Sequence, residues 1–360
     1  VGKFIVQSPE IIGSKDPLAA PIRVRFFTAK EGSDMKVNAV FEGGGVKAIG
    51  LVGAVQAAEQ HGFSFHQVAG TSSGSMVAAF LAAGYTSMEM EKLILDTPFT
   101  SFLQRAPVFN IKVIGPVARL MIKKGLYSGE QLEHWVAQVL IKKGIRTFAD
   151  LQPNQLRIIA SDISRGRLLV LPDDIAQYGI DPNTFTVAKA IRMSTSIPYF
   201  FDPVMIRKSL YVSNNEREAD KFKDQFIYIV DGGILSNFPM WLFDEKQDPS
   251  KVSSLIPTLG FQLVGKKTKT AMTIRGPFTM FEALFTTMMD AHDERYIEDH
   301  DRFRTIKIPT VGVKTTQFDI DKETNMKLFE SGREAGDRFF NKWSLNTYID
   351  QYKQFFNRTS

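Results

Sequence analysis

The sequence predicts an α/β protein with a parallel sheet. Three observations carry that expectation: strand-like apolar runs alternate with segments of helical period, glycines close the strands, and 360 residues at 44% hydrophobic supply an ample core. Val37 to Glu42 reads as a short buried strand, followed by Gly43-Gly44-Gly45. Val46 to Gln60 places Ala, Val and Leu at helical spacing and stops at Gly62. Phe63 to Ala69 is a second strand leading to Gly70, and Ser73 to Ala83 a second helix stopped by Gly84. Strand, helix, strand, helix is the order of βαβ units. Further along, Arg157 to Ser161 and Arg167 to Leu171 are strands joined at Arg165-Gly166, and Val187 to Ser194 is helical. Tyr211 to Lys223 is charge-rich and suits a surface loop or hairpin, while Gln225 to Val230 is a strand ending near another glycine pair. Ser254 to Leu263 and Phe303 to Ile308 are strand candidates, and Asp321 to Trp343 a helix capped by Asp319 or Asp321.

Composition removes several classes of function. The chain has no Cys, so disulfide scaffolds, thiolate metal sites and Cys nucleophiles are excluded, and a cytoplasmic location is the expectation. The apolar run Met76 to Tyr85 falls well short of the ~20 residues that span a bilayer. Val1 to Ala20 lacks the charged start and apolar block of a signal peptide. A formal charge of +5 spread along the chain is no nucleic-acid footprint and leaves only a mild bias toward anionic surfaces.

Chemistry concentrates at three glycine-marked motifs. Gly70-Thr71-Ser72-Ser73-Gly74 lies between a strand and a helix, where small neighbours permit a tight turn that lifts the Ser72 hydroxyl clear of the backbone. The bland alternative is a simple turn of small residues. Gly43-Gly44-Gly45 opens the helix carrying Lys47, and consecutive glycines can present adjacent amides to a developing oxyanion. Gly43, Gly45 and Ala48 also fit a dinucleotide fingerprint, but the next strand ends at Ala69 to Ser72 without the acidic residue that motif needs. Asp231-Gly232-Gly233 follows the strand Gln225 to Val230 and is either a turn or a third contribution to the site. Strands of a parallel sheet share one carboxyl edge, so Ser72 and Asp231 are expected to converge there, with burial raising the Asp231 pKa from ~3.9 toward neutrality.

In this order the three motifs closely resemble the patatin-like phospholipase family, from about Val37 to Pro239. That resemblance implies a three-layer α/β/α sandwich with a largely parallel central sheet. It also implies a Ser-Asp dyad that cleaves fatty-acyl esters of membrane lipids, of phospholipase A or lysophospholipase type, with no cofactor and no metal. Carried over by position, Ser72 is the nucleophile, with Gly70, Thr71, Ser73 and Gly74 forming its elbow. Asp231 is the base, and the amides of Gly43, Gly44, Gly45 and Val46 form the oxyanion hole. Lys47 matches the basic residue after the glycines, and Arg192 to Phe200 resembles the family's Arg/Ser/Pro segment. Lys47 and Arg192 are therefore candidate substrate or anion contacts. Asp162 to Pro172 is similar to a family strand pair, whereas Ala48 stands where the family often has Gly. The implied organisation is an N-terminal arm at 1–35, the hydrolase domain at 36–312 and a helical extension at 313–360. The implied partners are phospholipid or another acyl lipid, with peripheral membrane contact and no nucleic acid.

Other readings stay open at this point. Ser72, Asp231 and His292 or His300 follow the chain order of an α/β-hydrolase triad, although the serine comes early for that fold. A small-ester carboxylesterase and a non-enzymatic lipid- or nucleotide-binding module are the functional rivals. Asp290, His292, Asp293, Glu294 and Asp299 lack metal-helix spacing, and Asp319, Asp321 and Glu323 mimic a calcium loop with Thr324 where Gly is needed. Phe278, Phe281, Leu284, Phe285, Met288 and Met289 make an apolar stripe that suits core packing or an acyl groove. Val108 to Tyr127 mixes apolar and basic residues, as a lid or an ordinary buried helix would.

Overall fold

The computed structural model describes residues 35–103, 124–207, 226–244, 256–265 and 299–359, with a few single positions between 266 and 298. All of them belong to one unit, Asp34–Ser360. The N-terminal arm, the Tyr211 to Lys223 loop, most of Val108 to Tyr127, the acidic Asp290 to Glu294 cluster and all of the Phe278 to Met289 stripe except Leu284 lie outside the described residues.

Eight strands make the central sheet: β1 (Met35–Phe41), β2 (Phe63–Thr71), β4 (Leu156–Asp162), β5 (Arg167–Leu171), β7 (Val204–Arg207), β8 (Phe226–Asp231), β9 (Thr258–Val264) and β10 (Thr305–Pro309). Two three-residue strands, β3 (Gly125–Tyr127) and β6 (Tyr199–Phe201), pair separately. The order is β10-β9-β1-β2-β4-β8-β7, with β5 also on β4. From β10 to β4 the strands run parallel, while β5, β7 and β8 join by antiparallel pairing. Alternation along each strand divides the core: Ala39 and Phe41 face the larger cluster, while Val40, Ala69 and Ile159 pack with Met240, Leu242 and Phe243 in the smaller one.

The helices α1 (Ala48–Gln60), α2 (Ser73–Ala82), α3 (Ser87–Leu95), α4 (Glu130–Ile141), α5 (Val187–Ser194) and α6 (Lys322–Phe340) contribute to the larger cluster, and α7 (Leu345–Thr359) follows α6. The sheet is thus flanked by helices, an α/β sandwich. Helix α1 is buried almost all round because it lies between the sheet and α6. The α1–α6 crossing is so close that a Cβ on Gly332 would sit 1.8 Å from the Gly50 carbonyl oxygen, and one on Gly53 2.0 Å from that of Phe329. Asp321, not Asp319, caps α6, its carboxylate accepting from the Thr324 amide at 2.7 Å.

Candidate active site

Two strands deliver Ser72 and Asp231, and they do so head to head. β2 pairs with β4 up to Thr71 opposite Ile159, and β8 pairs with β4 starting at Asp231 opposite Ala160. Because β5 occupies the other edge of β4 from Ile158 to Asp162, β2 and β8 must share one edge and abut there. The expectation of a common carboxyl edge for all strands is therefore corrected: β8 runs antiparallel and meets β2 end to end. Both chains must leave the sheet at the junction. β2 does so at Ser72, β8 at Gly232.

Ser72 turns with φ 52° and ψ −128°, a backbone state disfavoured for a side-chain-bearing residue and held here by crowding. A Cβ on Gly70 would fall 2.5 Å from the Gly74 carbonyl carbon, and one on Gly74 2.3 Å from the Phe41 oxygen, so only glycine fits either side. The Ser72 amide donates to Ser194 Oγ at 2.8 Å, and that hydroxyl donates onward to the Ile159 carbonyl at 2.5 Å. Ser194, at the end of α5, thereby ties the turn to the strand beneath it. Ser75 Oγ donates to the Ser72 carbonyl at 2.6 Å, holding the first turn of α2.

Ser72 Oγ donates to Asp231 Oδ2 at 2.7 Å, and the Gly233 amide donates to Asp231 Oδ1 at 2.8 Å. The Asp231 amide is fixed by the Ser196 carbonyl at 2.9 Å. Asp231 is fully buried; burial pushes its pKa up to about 7, against the opposing pull of the Ser72 and Gly233 hydrogen bonds. Among the described residues no histidine bonds to this pair. The described histidine hydrogen bonds join His61 to Asp337 and His134 to Gln138, and His300 sits in the short turn Asp299–Arg304.

The glycine loop follows β1 and is braced from two sides. The Gly43 amide donates to the Asn237 carbonyl at 3.2 Å, and Asn237 Nδ2 returns a bond to the Gly43 carbonyl at 3.2 Å. The buried Glu42 carboxylate accepts from the Leu263 amide at 2.5 Å and from Asn237 Nδ2 at 3.4 Å. Of the four amides expected to form an oxyanion hole, Gly44 donates to Ser73 Oγ at 3.0 Å and Val46 to the Thr315 carbonyl at 3.3 Å. Gly45 has no hydrogen-bond acceptor among the described residues and lines the same cavity as Ser72. Lys47 ends the 3-10 turn Gly45–Lys47, its stem beside Gly44.

Arg192 does not serve the role expected of it. It is 3% exposed; its guanidinium donates to Ser196 Oγ and to the carbonyls of Ser128 at 2.5 Å and Asp202 at 2.6 Å. Burial pushes its pKa down to about 10. A side chain spent on bridging α5 to the ends of β3 and β6 is a strut, not a substrate contact. Asp162 is likewise structural: it accepts from the Ser164 and Arg165 amides and from the Tyr178 hydroxyl, fixing the β4–β5 turn. Among the described residues no group of three His, Asp or Glu side chains could hold a metal.

From Ser72 an apolar cavity runs along α2, lined by Met76, Val77 and Phe80 on that helix and by Trp135, Phe99 and Phe102. Sequence reasoning missed Ser194, Asn237 and this cavity. The hydroxyl run Ser194-Thr195-Ser196, small and polar directly after an apolar helix, was the available signal for the first.

The α/β sandwich thus presents a strained serine against a buried carboxylate. The patatin-like phospholipase profile matches residues 39–244. The uncharacterized protein YqhO of Bacillus subtilis is 40% identical over 86% of this chain and 100% of its own length. The uncharacterized protein R571 of Acanthamoeba polyphaga mimivirus is 24% identical over 85% of this chain and 94% of its own. VipD from Legionella pneumophila aligns in structure with a TM-score of 0.48 at 17% identity, covering 86% of this chain and 67% of VipD. The chain belongs to the patatin-like phospholipase family, and the membership supports a lipid hydrolase.

Proposed function

We propose that the protein is a serine acyl hydrolase of phospholipase A or lysophospholipase type that works through Ser72 and Asp231, acting from the cytoplasm at the membrane surface. The observation that carries this reading is the 2.7 Å hydrogen bond from Ser72 Oγ to a buried carboxylate at the mouth of an apolar cavity. Ser72 Oγ attacks the ester carbonyl as its proton passes to Asp231 Oδ2. The oxyanion takes the Gly45 amide, in a site where a fixed donor replaces water. Collapse expels the alcohol, which leaves with the proton held by Asp231. Water then gives its proton to Asp231 and its hydroxide to the acyl carbonyl; the fatty acid departs and the proton returns to Ser72. No step requires a histidine or a metal.

Hydrolysis of a chromogenic acyl ester and of phospholipid vesicles by the native chain, Ser72→Ala and Asp231→Asn tests this. Native hydrolysis of both substrates, abolished by Ser72→Ala, is the expected result. Native inactivity, or activity that survives Ser72→Ala, overturns the dyad. Activity on short esters alone would make the protein a carboxylesterase that does not act on membranes.

A further inference from the structure

The cavity beside Ser72 is lined along α2 as far as an aromatic cluster, and the distance to that cluster sets a length. Ser72 caps α2, and Met76, Val77 and Phe80 on that helix line the cavity, so the helix forms one wall from the nucleophile inward. At Phe80 the cavity meets aromatic rings. Trp135 packs edge-on against Phe80 at 5.9 Å between centroids and against Phe99 at 6.2 Å, and lies 5.6 Å from Phe102. Behind Phe80 stands Tyr85, 5.7 Å away, its hydroxyl fixed to the Val139 carbonyl at 2.7 Å. Phe80 is thus backed by a ring that is itself anchored.

Eight helical residues separate Ser72 from Phe80, about 12 Å along the axis. An extended chain of tetrahedral atoms advances about 1.2 Å per bond, so about ten bonds reach from the acyl carbonyl to the aromatic wall. The cavity lining is almost wholly apolar, which suits a hydrocarbon chain and offers a headgroup no partner. We infer that Phe80 and Trp135 measure the acyl chain and that the scissile ester carries a medium-length chain, near decanoyl. The inference rests on the acyl-hydrolase reading and narrows it to lipids with such a chain. A longer chain must displace Trp135 or Phe80 from the packed cluster; a shorter one leaves contacts unmade, and each methylene in an apolar pocket is worth about tenfold or more in kcat/KM.

The test compares kcat/KM of the full chain on p-nitrophenyl butanoate, octanoate, decanoate, dodecanoate and hexadecanoate with that of Phe80→Leu, Trp135→Leu and Val77→Phe. The native profile should peak at decanoate, with octanoate and hexadecanoate each at least about tenfold lower. Phe80→Leu and Trp135→Leu should move the peak to longer chains, and Val77→Phe, which fills the cavity halfway, to shorter ones. Lost stability would lower every ester alike and cannot produce opposite shifts. A profile whose shape is the same in all four proteins, with activity still lost in Ser72→Ala, overturns the ruler while leaving the dyad standing. Activity that survives Ser72→Ala instead removes the reading on which the ruler rests.

Discussion

On the proposed mechanism, Asp231 should couple activity and stability to pH in opposite directions. As a base it works only when ionised, and burial holds its pKa at about 7 against an ordinary value of 3.8. At pH about 6 roughly a tenth of the protein carries the carboxylate, so kcat/KM should fall about tenfold per pH unit below neutrality and level off above about pH 8. Stability moves the other way. Below about pH 4 the group is neutral in both folded and unfolded chains; between about 4 and 7 only the unfolded chain is ionised, so folding loses ground as pH rises. The whole window amounts to about 4 kcal/mol. Asp231→Asn removes both effects. Its kcat should drop about 10²- to 10⁴-fold. Its unfolding free energy, relative to the native chain, should rise by about 4 kcal/mol between about pH 4 and pH 8. Ester hydrolysis across this pH range and urea unfolding at its two ends measure the two quantities. A native rate that stays flat down to about pH 5, or a stability difference that does not change with pH, would refute the assignment of a buried, neutral-range carboxyl.

Two further substitutions separate positioning from support. Ser194→Ala leaves the Ser72 amide and the Ile159 carbonyl without their shared hydroxyl; a cost of about 1–3 kcal/mol in urea unfolding is expected, with kcat reduced more than KM is raised. Arg192→Lys keeps the charge but cannot span Ser196, Ser128 and Asp202 together, so it should destabilise by about 2–4 kcal/mol in thermal or urea unfolding, while KM for a short ester stays within about twofold of native.

The local pattern of the sequence carried the elements more faithfully than their arrangement. The helix Val187 to Ser194 and the strand Arg167 to Leu171 match the structure residue for residue because each has its punctuation close by, the Thr186 cap and the Gly166 turn. β3 and β6 escaped notice, since three residues show no alternation that differs from loop. The direction of β8 was not legible either: Phe226 to Asp231 has the same apolar run whether it pairs parallel or antiparallel, and the choice lies in contacts with β4 that are remote in the chain. Glycine and serine spacing signalled Ser72 because its strained turn needs small neighbours, and Asp231 because Gly232 beside it must pass close to the Ile159 carbonyl. Ser194 and Asn237 act as single polar groups against backbone, a job that leaves no spacing behind. Arg192 shows the converse hazard: a lone arginine near a site looks like an anion contact until its three acceptors are seen.

The abutment of β2 and β8 gives the Ser72–Asp231 pair an unusual independence from the chain that joins it. The two residues are 159 positions apart, yet their spacing is set by two consecutive residues of a third strand, Ile159 and Ala160. Loops between them can lengthen, shorten or acquire whole new segments without altering the distance between hydroxyl and carboxylate. Deleting one residue from β4 would be another matter, because every side chain beyond the deletion would change faces and carry the partners of Ser72 and Asp231 out of register. The periphery can therefore be rebuilt while five residues of one strand, Ile158 to Asp162, hold the hydroxyl and the carboxylate in gauge.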